Sequence, residues 1–324
     1  MRITPAETMS DSADRPGRWA SDYHAPVMVA EVVGLLGAGG AVLDGTLGGG
    51  GHSAALLEAG CAVAAFDRDS EAVRIACERL GHERSAGRFR AFVANYADID
   101  SVESIEGERF SGVLLDLGVS SHQLDDPHRG FSFRPGAPLD MRMGADAEAT
   151  AAEVLNEADE HQLIRIFREY ADEPRAARLA REIQRRRATR PFVTSDDLVG
   201  AIRAVLGARS GPADFARLFQ AVRIEVNEEL TGLARALPVL RERLTPGGVF
   251  AVIAYHSGED RLVKQTFREW STACTCPPKL PRCVCGGVAL GEVVTRRPVT
   301  ASPAEVTANP RARSARLRAW RSAE

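Results

Sequence analysis

Short apolar runs alternate with helix-like stretches through the first third of the chain. AVLDGT (Ala41 to Thr46) reads as a buried strand, and the segment from His52 to Ala59 as a helix stopped by Gly60. CAVAAFD (Cys61 to Asp67) predicts a second strand, SEAVRIACERL a helix closed by Gly81, RFRAFVAN (Arg88 to Asn95) a third strand, and GVLLDLG (Gly112 to Gly118) a fourth. Strands apolar on both faces, separated by helices, predict a parallel sheet covered on both sides. From about Asp126 the pattern changes. A Pro/Gly-rich loop is followed by helical segments with their own start signals and no strand between them: Thr150-Ala-Ala-Glu153 fits a capping box, Asp172-Glu-Pro174 places proline in a first turn, and Ser195-Asp-Asp precedes LVGAIRAVL, ending at Gly207. FQAVRIEVNEELTGLARALPVLRERL then reads as a helix, TPGG as a turn, VFAVIAYHS as a strand, and EDRLVKQTFREW as a helix, with GEVVTRRPVTAS and SARLRAWR as a closing strand pair. The expected division is a disordered segment over 1–22, a doubly wound α/β core over 23–125 and 215–324, and an all-helical insertion over 126–214.

At 324 residues, 44% hydrophobic and 26% charged, the chain is long enough for a large core. The sequence shows neither a membrane-length apolar stretch nor a signal-peptide pattern, so a cytoplasmic protein is expected. A formal charge of -3 argues against indiscriminate nucleic-acid binding, but arginines crowd Pro174 to Arg190 and Asn309 to Arg321. Each cluster reads as a solvated surface or as local RNA contacts. Cys61 and Cys77 fall in apolar segments. Cys274, Cys276, Cys283 and Cys285 form two CxC pairs that fit either a structural zinc site or loop thiols; no catalytic metal is expected.

The run DGTLGGGGHS (Asp44 to Ser53) stands where the first strand passes to a helix, a place where backbone approaches a ligand. A phosphate loop would need a lysine that is absent. A dinucleotide fingerprint fits weakly, and S-adenosylmethionine held across the strand ends fits as well, with Asp44 closing the first strand. Asp67, closing the second strand about 20 residues beyond the glycines, suits ribose hydroxyls, whereas Asp69 better suits a helix cap. Tyr96 follows the third strand, either against an adenine or in the core. Asp116, closing the fourth, sits where amino-methyltransferases carry an acid or amide beside the methyl donor.

The motifs DGTLGGGGHS, FDRD, LLDLGVSSHQLDD, RGFSFR, PLDMRM, FQAVRIEVNEEL, YHSGEDRLVK and NPRARS, in this order from His24 to Arg318, resemble those of the RsmH (MraW) family of small-subunit ribosomal RNA cytosine-N4 methyltransferases. The resemblance implies a Rossmann-like class I S-adenosylmethionine-dependent methyltransferase with an inserted helical domain, acting on 16S rRNA near the P site, naked or within the small ribosomal subunit. It implies cofactor contacts from Gly50, Gly51, His52, Asp67, Tyr96, Asp116 and Gln123. Gly49, His122 and Gly258 depart from the family pattern. Gly258 bears on how His256 is held, because glycine loosens a helix start.

An exocyclic amine conjugated into its ring is a poor nucleophile, so the protein must position it in line with the methyl group and accept its N–H. Asp116, with the Leu117 or Gly118 carbonyl, is the expected acceptor. Tyr255, Phe131 and Phe133 are candidates for stacking on an unstacked base, or for plain packing. Asp140, Arg142, His256 and Asp260 are candidates for hydrogen bonds to the base or a phosphate, with His256 and Asp260 grouped with Asp116 as catalytic. DNA amino-methylation, a nicotinamide-dependent dehydrogenase on the same sheet, and a non-catalytic RNA-binding scaffold are the alternatives. Oligomeric state stays open.

Overall fold

The computed structural model describes residue 19 and residues 25–274, 276 and 287–324. The first part runs α1 (Val29–Leu36), β1 (Gly40–Asp44), α2 (Gly51–Glu58), β2 (Cys61–Asp67), α3 (Ser70–Arg79), α4 (Gly81–Ser85), β3 (Phe89–Val93), β4 (Phe110–Asp116) and α5 (Ser121–Asp125). The insertion follows with α6 (Ala151–Glu157), α7 (Glu160–Arg165), α8 (Ala176–Arg187), α9 (Ser195–Leu206) and α10 (Pro212–Val226). The chain closes with α11 (Glu229–Glu242), β5 (Leu244–Ala254), α12 (Ser257–Trp270), β6 (Gly291–Val293), α13 (Pro303–Ala308) and β7 (Arg316–Ser322).

The seven-stranded sheet has the order β3-β2-β1-β4-β5-β7-β6. Its pairs from β3 to β5 are parallel, while β7 runs antiparallel to both of its neighbours. Side-chain alternation gives each central strand two apolar faces. Val42, Leu114 and Ile253 pack with α1 and α2 on one side, and Leu43, Leu115 and Val252 with α11 and α12 on the other. This is the doubly wound α/β fold that the alternation predicts. Strand order reverses between β1 and β4, opening a crevice at their carboxyl ends.

The insertion has its own core, including Phe167, Ile183, Ile202 and Phe219. Thr150 and Glu153 form the expected capping box, whereas the cap of α9 is Thr194, one residue before the expected start. The stretch read as one helix from Phe219 to Leu244 is two, and the first belongs to the insertion. Phe215, Leu218, Val222 and Val226 of α10 join that core, carrying it past the expected boundary at 214. Asn227 makes the break. Its buried amide donates to the Met141 and Arg223 carbonyls at 2.7 and 3.0 Å and accepts from the Met143 N–H at 2.8 Å, while Glu228 turns into the left-handed region at φ 50°. The closing strand pair forms as read, by β6 and β7. Strand β5 begins five residues before the expected Val249, running through the TPGG segment. The expected N-terminal segment lies, but for Trp19, outside the described residues, as do Cys283 and Cys285 of the proposed zinc set. Among the described residues, no helix is long and apolar enough to cross a membrane.

Candidate active site

Glycine conformation and a buried carboxylate build the β1–α2 turn. Asp44 is fully buried; its Oδ2 accepts from Ser53 Oγ at 2.7 Å and its Oδ1 from the Thr46 N–H at 3.1 Å. Burial raises its carboxyl above the usual range, against the lowering effect of Ser53. Asp44 therefore fastens the turn instead of lining the crevice. Gly50 likewise faces inward: at φ 74° it precedes α2, and a Cβ there would meet Ala76 and Leu80 of the neighbouring helix. The open approach belongs to Gly48, at φ 49°, where a Cβ would have no atom within 4 Å.

A cavity of about 360 Å³ fills the crevice. Gly48, Gly51, His52, Asp67, Tyr96, Asp116 and Gln123 line it, so six of the eight expected cofactor residues converge there. Asp67 accepts from the Gly48 N–H at 2.7 Å and the Asp69 N–H at 2.9 Å, which leaves lone pairs on both oxygens. Burial pushes its carboxyl up to about 6, despite those bonds. Asp69 caps α3 through the Glu71 N–H, as expected, and also accepts from Gln123 Nε2 and Arg129, which fixes α5 over the cavity. His52 donates from Nε2 to the Val27 carbonyl at 2.8 Å, placing Nδ1 3.6 Å from Asp116 Oδ2.

The insertion and the α10–α11 elbow close the far wall with Met143, Asp146, Glu148 and Asn227 to Glu229; Met143 and Asn227 to Glu229 lie in the motifs PLDMRM and FQAVRIEVNEEL, but none of these residues was a site candidate from the sequence. Arg68 joins the two regions by bonding Asp146 and the Asn227 carbonyl. Nine acidic side chains line the cavity with Arg68 and Arg235; Arg165 and Arg223 pair with Glu225 and Glu229 from outside the lining, so acids outnumber these four arginines. Such a wall suits a cationic ligand and repels a pyrophosphate.

A second cavity of about 390 Å³ adjoins the first, and Gly118, Val119 and Tyr255 line both. Its other walls are mostly apolar: Val27, Leu124, Phe131, Phe133, Met141 and Phe219, with His256, Arg223 and the Asn309, Arg311 and Ser314 side supplying polar groups. Phe133 meets Phe215 and Phe219 edge-on, with ring centres 5.8 and 6.1 Å apart. Arg311 reaches Asp125 at 2.9 Å.

The family model described as the MraW methylase family matches residues 21–323. The chain belongs to the MraW methylase family. These enzymes are S-adenosylmethionine-dependent methyltransferases, and this methylase resembles proteins named "Ribosomal RNA small subunit methyltransferase H". It is 60% identical to that of Gemmatimonas aurantiaca over 97% of this chain and 100% of the relative, and 47% identical to that of Geobacter sulfurreducens over 91% and 97%. The protein of Symbiobacterium thermophilum is 46% identical over 92% and 96%.

The donor set of the methylase fits the cofactor: an acidic wall for a sulfonium, Asp67 for a diol, and bare backbone at Gly48. Three of the polar candidates take other roles. Asp260 lines neither cavity; it faces β7, bonding Arg318 at 2.7 and 3.2 Å and Arg316 at 3.4 Å. Burial would raise its carboxyl, but the two arginines outweigh this and hold it low. Asp140 and Arg142 pair with each other at 2.9 Å, while Met141 and Met143 between and beyond them face inward. His256 does reach the second cavity. It caps α12, accepting at Nδ1 from the Gly258 and Glu259 N–H groups at 3.2 and 3.4 Å; Nε2 lies 3.2 Å from Glu259 Oε1 without hydrogen-bond alignment. A Cβ at residue 258 would stand 3.1 Å from that imidazole, so glycine here gives the cap room. Glu229, His256 and Glu259 stand close enough together to ligate a metal, but Arg223 supplies the local cation, bonding both Glu229 oxygens at 2.8 Å.

Proposed function

We propose that this methylase transfers a methyl group from S-adenosylmethionine to the exocyclic amine of a cytidine in small-subunit ribosomal RNA, in the P-site region. The observation that carries the reading is the meeting of two unlike cavities at one wall, beside Asp116 and Tyr255. The acidic cavity takes the cofactor, which supplies an electrophilic methyl carbon when bound. The apolar cavity takes the unstacked base, whose desolvation its aromatic and aliphatic walls offset.

Asp116 closes β4 at the switch point. Its backbone N–H donates to Thr46 Oγ1 at 2.6 Å, tying the carboxylate's base to the glycine turn. From there the carboxylate accepts an N–H of the target amine and turns the nitrogen lone pair towards the methyl carbon. The methylated nitrogen is acidic and gives its proton late to solvent water, so Asp116 acts mainly by orientation and charge. The substrate classes of the named relatives and the apolar second cavity support RNA over a nicotinamide-dependent reaction, whose pyrophosphate the acidic wall opposes.

The test is transfer of labelled methyl from S-adenosylmethionine to small ribosomal subunits from a strain lacking this enzyme, followed by nucleoside mass spectrometry. N4-methylcytidine is the expected product. Label on another atom, or on DNA in preference to RNA, would overturn the assignment.

A further inference from the structure

The ring of Tyr255 forms part of the wall between the two cavities, but its hydroxyl has a more specific partner. It donates to Asp116 Oδ1 at 2.8 Å. The sheet sets this contact. Asp116 pairs in register with Ile253 on β5, and Tyr255 stands two residues further on, so the side-chain alternation returns it to the face Asp116 occupies. Two further contacts hold the tyrosine in place. Its N–H donates to Glu259 Oε2 at 2.8 Å, and its ring lies beside the backbone of Gly118, whose φ of 99° is in the left-handed region that glycine favours.

Resting on the reading of Asp116 as the amine's acceptor, we infer that Tyr255 is a positioning residue of methyl transfer: its hydroxyl, bonded to Asp116 Oδ1, holds the carboxylate in the orientation that meets the target amine. Each bond to a carboxylate narrows the angles at which it can meet a donor. The phenol's bond at Oδ1 is such a restraint, acting on the plane in which the amine must lie. Burial, reinforced by the neighbouring Asp116 charge, lifts the Tyr255 phenol well above its ordinary value, so it remains a donor throughout the working pH range. Tyr255 contributes through the hydroxyl as well as through the ring face that an aromatic stacking role alone would use.

Tyr255→Phe keeps the ring and deletes the donor. Expected is a 10- to 100-fold fall in kcat on small ribosomal subunits, with the KM for RNA and the Kd for S-adenosylmethionine, read by calorimetry, within about threefold of the parent. The decisive comparison is the double variant: in an Asp116→Asn background the tyrosine change should cost almost nothing, because the group it orients is gone. Equal losses in both backgrounds would overturn the inference and leave Tyr255 a packing residue. So would a parental rate for Tyr255→Phe while Asp116→Asn is crippled, or loss of cofactor binding by Tyr255→Phe. A parental rate for Asp116→Asn itself would instead overturn the assignment of the acceptor, and the inference with it.

Discussion

The two cavities share a wall but are built in opposite ways. The acidic one is floored by strand ends and the turns that follow them, where backbone geometry is fixed by the sheet, and the insertion and the α10–α11 elbow add its far wall. The apolar one gathers single residues from the segment before α1, the loop before the insertion, α10, the end of β5 and the segment before β7. A rigid sheet edge suits a ligand that must present one atom in one direction. A wall assembled from separate segments suits a base that arrives attached to a large polymer.

The strongest way to break this comparison is at the shared wall. Asp116→Asn should lower kcat by 100-fold or more, on the order of 3 kcal/mol of transition-state stabilisation, and leave cofactor affinity within a few-fold. A comparable loss of cofactor binding would make the wall part of one site instead of two.

Asp260→Asn tests the opposite claim, that a charged candidate outside both cavities serves stability alone. Breaking its buried pair with Arg318 should cost roughly 3 kcal/mol in chemical denaturation, with kcat of the folded enzyme unchanged. Because the folded-state carboxyl is held below its ordinary 3.8, this stabilisation is present above that pH and lost as pH falls through the depressed value.

Asp67 sharpens the acidic side. A diol donates to the ionised carboxylate, so cofactor affinity should be greatest above pH 6 and fall up to tenfold per unit below it, as protons compete at a group titrating at about 6. The same raised value gives the sign for the free protein: its ionised Asp67 opposes folding, and stability from this group is gained as pH falls from 6 towards 3.8. Asp67→Asn should bind S-adenosylmethionine about 10-fold more weakly at pH 8, with the slope below pH 6 much reduced in calorimetric titrations.

The smallest effect is expected on the apolar side. Phe133→Leu retains bulk but removes an aromatic face, and should raise the KM for small subunits by about 3- to 10-fold, around the lower end of the roughly 1–3 kcal/mol that base stacking contributes. Cofactor affinity measured on the same preparation should not move; if it does, the cavities are less separate than their linings indicate.

The arginines in and beside α8 divide along similar lines. Arg187 holds the Leu155 and Ala158 carbonyls and Arg175 those of Val205 and Leu206, so these two brace the insertion. Arg185 and Arg186 share Glu182, holding that carboxyl down at about 2. Arg178, Arg181 and Arg190 are exposed, with Arg181 4.0 Å from Glu160 and Arg190 3.8 Å from Asp197. A run that reads as uniformly basic is therefore partly internal bracing.

Sequence alone determined the alternation of strands and helices, the insertion, the glycine turn and the acids that close β1, β2 and β4. These depend on local periodicity and on which residues tolerate a tight turn, both written within a few consecutive positions. Only the tertiary structure decided that Asp44 turns inward while Gly48 opens onto the cavity, that Asp260 belongs to Arg318, that Asn227 divides one helical run into two, and that Tyr255 reaches Asp116. Each of those outcomes turns on direction and on a partner far along the chain: 58 residues separate Asp260 from Arg318, 139 separate Tyr255 from Asp116, and 86 separate Asn227 from Met141. Spacing in a sequence places a side chain on an element. The packing of that element against the others determines what the side chain meets.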